Sequence, residues 1–154
     1  MVSHNAFENM RRATVNDIGG IIQLIEPLEN AGILVRRSRE KLETEVSQFV
    51  IQERDGLVLS CAALYLYPEA DIAELGCVAV NPKYRGGERG DALLAFMERE
   101  TKQAGINRIF VLTTQTAHWF QERGFVAADT DQLPLAKREL YNFQRNSKIF
   151  IKQL

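Results

Sequence analysis

The sequence predicts a mixed α/β (α+β) fold: a single domain with a mostly antiparallel central sheet flanked by helices. Three observations predict it. Stretches with strand and helix periodicity alternate along the chain. Three strand-like runs, at 49–53, 57–67 and 71–80, follow one another across short turns, as an antiparallel meander does. An apolar helical run at 90–103 then separates the third of them from another strand at 108–113. Such a strand–helix–strand unit implies a right-handed crossover and a parallel pair.

The elements follow in order. Residues 10–13 suit a short first strand. Thr14 and Asp17 have the spacing of a capping box, and Ile18, Ile21, Ile22 and Ile25 then mark one face of a helix. That helix is expected to fade near Pro27, with Gly32 beyond it. Ser38 is a suitable N-cap for a second helix through Leu42 and Val46. Asp55-Gly56 is a hairpin signal between the first two meander strands, and residues 68–71 form the next turn. Asn81-Pro82 ends the third strand. In the helix at 90–103, Leu93, Leu94, Met97 and Ala104 are expected on one face, and Gly105 suits its C-terminal stop. Further on, a short helix at 116–123 closes at Gly124 and a strand covers 125–128. A helix begins around Pro134 within 133–141, and a last strand covers 148–151.

Composition sets bounds on function. A chain of 154 residues fits one domain. With 45% hydrophobic and 25% charged residues it has the balance of a globular protein, not of a disordered one. The formal net charge of −1 gives no global field toward nucleic acid or membrane. No apolar run is long enough to span a bilayer. Residues 1–9 lack the basic start and apolar stretch of a secretory signal, so they are expected to be a flexible lead-in and the compartment to be cytoplasmic. Two cysteines, Cys61 and Cys77, with no CxxC pair, make neither a disulfide framework nor a zinc site. His4 and His118 add no metal pattern. No metal is expected.

The most informative segment is 78–90: Val78-Ala79-Val80-Asn81-Pro82-Lys83-Tyr84-Arg85-Gly86-Gly87-Glu88-Arg89-Gly90. A strand ends, a basic glycine-rich loop follows, and a helix begins. Such a loop can aim backbone N–H groups at one point, and the helix N-terminus adds positive potential there. Glycines allow a diphosphate close to the backbone, and Arg85 and Arg89 can supply charge-assisted hydrogen bonds. The loop has neither the Gly-Lys-Ser/Thr triplet of a P-loop nor the GxGxxG of a dinucleotide fold. The alternative is a tight turn carrying solvated arginines.

Residues 78–94 resemble the acetyl-CoA-binding motif of the GCN5-related N-acetyltransferases (GNAT), with Arg85-Gly86-Gly87-Glu88-Arg89-Gly90 in place of the family's Arg/Gln-x-x-Gly-x-Gly/Ala. Glu88 stands where that family usually has glycine, so its side chain is expected to point outward. Ala117-His118-Trp119-Phe120-Gln121-Glu122-Arg123-Gly124-Phe125 is similar to a second motif of the family. Four further runs, at 32–38, 111–114, 119–125 and 141–148, resemble the acetyltransferase domain of the bacterial N-acetylglutamate synthase family, from about residue 10 onward. The resemblance implies a GNAT domain over 10–154 that moves acetyl from acetyl-CoA to the α-amine of L-glutamate, the first step of arginine synthesis, by direct transfer in a ternary complex. It implies an upstream amino-acid-kinase-like domain and a homo-oligomer in the full-length protein. That domain is not in this chain, which is therefore expected to correspond to the C-terminal domain alone. No nucleic-acid or membrane partner is expected.

The same resemblance carries cofactor contacts onto Cys77, Val78, Val80, Arg85, Gly86, Gly87, Arg89, Gly90 and Thr114, and substrate contacts onto Arg36, Arg145 and Ser147. The chemistry of two carboxylates fits arginine, whose fork matches each bidentately. Alternatively Arg36, Arg37 and Arg39 form a solvated basic face. From residue 134 onward the chain has five Lys/Arg and one Glu, locally +4, which would attract an acidic substrate or an acidic partner surface.

Glu74 is the candidate general base, acting through a water, because it is a charged residue inside an apolar strand. A solvated edge carboxylate is the alternative. Alternation puts Glu74, Gly76, Val78 and Val80 on one face with Cys77 opposite, unless Gly76 marks a bulge. Cys77 reads as a small buried packing residue rather than a nucleophile. His118 is expected at the surface or in packing. Phe120 holds the place of the family's tyrosine, thought to protonate the departing thiolate, and cannot do so. Thr113 and Thr114 can donate a hydrogen bond there, or are ordinary strand residues. Phe120 also leaves room for two other readings: acetylation of another small amine or a protein amine, or a coenzyme-binding regulatory module without turnover.

Overall fold

A computed structural model of the chain describes residues 10–85, 88–113, 116–140 and 148–154, with backbone alone at 139 and 140. The lead-in at 1–9 lies outside the described residues. The strands are β1 (Met10–Arg12), β2 (Phe49–Arg54), β3 (Leu57–Tyr67), β4 (Ile72–Val80), β5 (Arg108–Thr113), β6 (Val126–Ala128) and β7 (Lys148–Gln153). The α-helices are α1 (Ile18–Asn30), α2 (Arg39–Glu45), α3 (Arg89–Gln103), α4 (Ala117–Gln121) and α5 (Leu135–Leu140). Among the described residues the strands form one seven-stranded, mostly antiparallel sheet in the order β1-β2-β3-β4-β5-β7-β6. The chain divides into two compact units, Met1–Leu64 with Cys77–Met97, and Tyr65–Gly76 with Glu98–Leu154.

In the first unit, β1 and β2 pair antiparallel, Met10 opposite Gln52 and Arg12 opposite Val50. β2 and β3 pair antiparallel across Asp55-Gly56. Both turn residues have positive φ, 52° and 80°, as a two-residue hairpin with right-handed strand twist requires. The expected capping box is present: the Thr14 N–H donates to Asp17 Oδ2 at 2.7 Å. Arg11 grips the same carboxylate with Nη1 at 2.8 Å and Nη2 at 2.9 Å, while its Nε donates to Glu53 Oε1 at 2.9 Å. One guanidinium thus ties β1, the entry to α1, and β2 together. Ile18, Ile21 and Ile25 of α1 are at most 1% exposed, as the periodicity requires. The helix does not fade at Pro27. It runs to Asn30, and the Ala31 N–H still donates to Pro27 O at 3.1 Å. Proline forfeits one bond at its own nitrogen but leaves its carbonyl free to accept the next turn. Ser38 Oγ accepts from the Lys41 N–H at 3.1 Å, capping α2 and setting Leu42 inward at 1% exposure.

α3 begins at Arg89 and buries Leu93, Leu94 and Met97. The fourth member of that stripe is Thr101, at 0% exposure, and not Ala104, which is exposed beyond the helix end. A helix places i+4 on the same face, so Leu93, Met97 and Thr101 align, whereas Ala104 falls past the last turn.

In the second unit, β4 and β5 run parallel with Ala73 opposite Ile109 and Glu74 opposite Phe110. This is the parallel pair that the strand–helix–strand pattern implies. β7 inserts between β5 and β6, pairing antiparallel with both. Ile72, Phe110, Leu133, Ile149 and Ile151 form its core, with Tyr67, Ala70, Leu112 and Ala128 packed against them. Burying each of the larger of these side chains contributes roughly 1.5–3 kcal/mol. Asp71, at φ 53°, turns the chain into β4 and is held by the Asn107 N–H, which donates to its Oδ1 at 3.0 Å.

Candidate functional site

In the first unit the end of β4 alternates cleanly. Cys77 and Ala79 are buried, and Val78 and Val80 are half-buried. The alternation does not run unbroken from Glu74. Cys77 has a φ of 52°, a left-handed conformation unusual for a residue with a side chain. The irregularity anticipated at Gly76 therefore sits one residue later. The Cys61 thiol donates to the Cys77 carbonyl at 3.4 Å. A side-chain hydrogen bond with Cys77, and then burial, push the Cys61 thiol well above its ordinary range. That side-chain hydrogen bond, and not the one to the carbonyl, lowers the Cys77 thiol, with burial opposing it. Cys77 is only 4% exposed, a packed sulfur and not an accessible nucleophile.

After Val80 the Asn81 N–H donates to Leu59 O at 2.8 Å, fixing where the strand ends. Asn81 Oδ1 accepts from the Lys83 N–H at 3.0 Å and opens a turn at Pro82–Tyr84. Arg85 is exposed and lines a cavity of about 170 Å³ with Gln23, Pro27, Leu57 and Val80. Arg89 is half-buried; its Nη1 donates to Tyr84 O at 3.3 Å and its guanidinium lies 5.4 Å from the Tyr84 ring centre. Gly90 is the second residue of α3. Glu88 is exposed, as expected. Gly86 and Gly87 lie outside the described residues.

Arg36 is exposed, and its Nη2 donates to Asn30 Oδ1 at 2.6 Å. Its neighbour Arg37 is half-buried. There the backbone N–H donates to Glu29 Oε2 at 2.8 Å, and the positive charge acts on both cysteines. The alternative of a solvated basic face therefore fails at Arg37. Neighbouring residues in a loop can point opposite ways, and spacing does not show which one turns inward.

In the second unit Glu74 is 7% exposed, so it is no solvated edge carboxylate. Lys137 Nζ lies 3.1 Å from Glu74 Oε1. Nothing in the sequence marks this partner, because Lys137 is remote in the chain and stands there only as one charge of the basic C-terminal stretch. Thr113 is 6% exposed. Its Oγ1 lies 2.7 Å from Thr116 Oγ1 and accepts from the Thr116 N–H at 3.0 Å. Phe120 is buried, with edge-on ring contacts to Trp119 and Phe125 at 5.0 and 5.2 Å. His118 is exposed beside Glu122, with Nε2 at 3.5 Å from Oε2. Thr114, Arg145 and Ser147 lie outside the described residues. Among the described residues no cluster of His, Cys, Asp or Glu is placed to hold a metal ion, and no helix is long and apolar enough to cross a membrane.

The second unit thus holds a buried carboxylate on β4, and in the first unit the end of β4 runs into a short turn before the α3 N-terminus. The profile of the acetyltransferase (GNAT) domain matches residues 45–127, more than half of the chain, and the chain belongs to that family. It is 55% identical over 154 residues, all of its length, to an amino-acid acetyltransferase of Ectopseudomonas mendocina, of which it spans 36%. It is 57% identical over 147 residues to an amino-acid acetyltransferase of Yersinia enterocolitica, covering 96% of this chain and 33% of that protein. N-acetylglutamate synthase from Neisseria gonorrhoeae, solved with coenzyme A and N-acetyl-glutamate, matches with a TM-score of 0.90 at 45% identity, over 94% of this chain and 34% of that one. The chain thus spans about a third of the length of the curated relatives it matches.

Proposed function

We propose that the chain is the acetyltransferase part of an amino-acid N-acetyltransferase, moving acetyl from acetyl-CoA to the α-amino group of L-glutamate. The observation that carries this reading is the 45% identical structural match, over 94% of the chain, to a synthase solved with coenzyme A and N-acetyl-glutamate. The product would enter arginine biosynthesis in the cytoplasm. Residues 10–154 form the transferase domain. The relatives' greater length supports a larger whole protein, in which this reading places an upstream, amino-acid-kinase-like domain and a homo-oligomeric assembly.

In this reading the backbone of Cys77, Val78 and Val80 pairs with the pantetheine arm. The N–H groups of Gly86, Gly87 and Gly90, with Arg85 and Arg89, hold the diphosphate, and Thr114 completes the coenzyme contacts. Arg36, Arg145 and Ser147 hold the two carboxylates of glutamate. Acetyl-CoA supplies a thioester whose carbonyl is open to attack. Glu74 accepts a proton from the acceptor ammonium through a water. The freed amine attacks the carbonyl carbon, the C–N bond forms, and the C–S bond breaks. The attacking nitrogen gives up its second proton as the amide forms, and the thiolate, leaving with the electron pair, takes up a proton. The buried Phe120 cannot supply that proton. Thr113, whose hydroxyl shares a hydrogen bond with Thr116, or Thr114 then relays it, directly or through water.

The test is thiol release from acetyl-CoA with a panel of amino acids and amines. L-glutamate is expected to react well ahead of glutamine and of monocarboxylic amino acids. A preference for amines without a second carboxylate overturns the glutamate assignment and favours another acceptor. Coenzyme binding without thiol release for any acceptor favours a regulatory module.

A further inference from the structure

The Glu74 side chain is 9% exposed and that of Lys137 24%. A carboxylate so buried loses most of its hydration, and desolvation favours its neutral form. A neutral carboxyl cannot accept a proton. Something in the fold must offset that cost before the acceptor arrives.

Around Glu74, β5 presents Phe110 in register. Among the described residues, three other cations of this unit spend their charge elsewhere. Arg108 donates to the carbonyls of Ala70 and Asp71 at 2.7 and 3.2 Å. Arg138 donates to the carbonyls of Asp131 and Leu133 at 2.7 and 2.9 Å. Lys152 pairs with Glu98 at 2.7 Å. Lys137 reaches across from α5, and its ammonium sits 3.1 Å from Glu74 Oε1.

We propose that Lys137 is a positioning residue for Glu74: its ammonium, delivered by α5, keeps the buried carboxylate ionised and aimed while no acceptor is bound. The inference rests on the reading of Glu74 as the base. The acceptor's ammonium carries the same charge as Lys137, so it meets a carboxylate already ionised and takes over a partner of the same chemistry. α5 thereby acquires a function beyond packing.

The experiment follows the Glu74 carboxyl directly by carbon-13 NMR titration of the 154-residue chain, its resonance assigned by its loss in Glu74→Gln. The variants are Lys137→Met, Lys137→Gln as a second neutral replacement, and Lys137→Arg. The neutral variants are expected to raise the carboxyl midpoint by about one pH unit, and Lys137→Arg to return it close to the wild-type value. A purely structural role for Lys137 would not give this restoration by charge. Midpoints that coincide in wild type and both neutral variants overturn the proposal. The acidic limb of the thiol-release rate is measured alongside and is expected to move with the midpoint. A midpoint that moves while the limb stays fixed removes Glu74 from the base role and leaves the Lys137 pairing standing, so the two readings fail separately.

Discussion

Asp17 is the residue whose energetics are most fully determined by its contacts. Arg11's hydrogen bonds, then the Thr14 N–H, hold its carboxyl below the ordinary 3.8, with burial opposing. A carboxyl depressed in the folded state stabilises the fold above the unfolded value and loses that contribution as pH falls through the lower, folded one. Asp17→Asn is therefore expected to cost about 2 kcal/mol at pH 7. The gap from wild type should begin to narrow below about pH 4 and close as pH passes the lower, folded value. Urea denaturation of both proteins at pH 7 and pH 3 measures it, and a gap of equal size at the two pH values would refute the linkage. Glu74→Gln belongs to the same scale. It should lower kcat most at low pH while leaving coenzyme affinity nearly unchanged, and an unaltered pH–rate profile excludes the base role. Ser38's cap and the Thr14–Asp17 box were legible because both partners lie within one helical turn. The Glu74–Lys137 pair was not, because nothing local to either residue records which distant side chain meets it. The left-handed residue at Cys77 was legible only to within one position: glycine is the usual occupant of such a conformation, and here its neighbour adopts it.

At the scale of elements, α1 offers two adjacent glycines with opposite surroundings. A Cβ added at Gly20 would lie 2.6 Å from Val58 Cγ2, the tip of a short branched side chain buried at 8% exposure. Valine has no flexible end to withdraw, so β3 or α1 must shift. A Cβ at Gly19 meets nothing within 4 Å. Gly20→Ala is thus expected to destabilise by about 1–3 kcal/mol, and Gly19→Ala to stabilise by up to about 1 kcal/mol through helix propensity. Chemical denaturation of the two variants checks the sign at each. Equal effects would mean that α1 does not approach β3 as closely as described. The strand boundaries and the Asp55-Gly56 hairpin were legible because period-two patterning and turn chemistry are local. The insertion of β7 between β5 and β6 was not, since no spacing in the sequence states which strand edge a final strand joins. The helix at Pro27 shows a third case: proline lacks a donor but its carbonyl still accepts, so the helix runs one turn past it.

The whole chain spans about a third of its curated relatives, so the strongest test at this scale asks what these residues bind alone. If the turn after Val80 and the start of α3 form a diphosphate cradle, coenzyme A binds the folded chain and not the unfolded one. At one hundred times its dissociation constant it would then stabilise by about 2.7 kcal/mol. For a chain of this size that raises the melting temperature by about 5–10 °C. Arg85 is exposed, so Arg85→Ala should leave the ligand-free melt nearly unchanged. Loss of one charge-assisted hydrogen bond weakens binding about tenfold, which cuts the shift at the same coenzyme concentration to about half. Pantetheine, which carries the thiol arm without the diphosphate, should shift the melt far less. An equal shift from pantetheine would place the affinity in the β4 contacts and not in the cradle. No shift with coenzyme A itself would remove the coenzyme site from this part of the protein altogether.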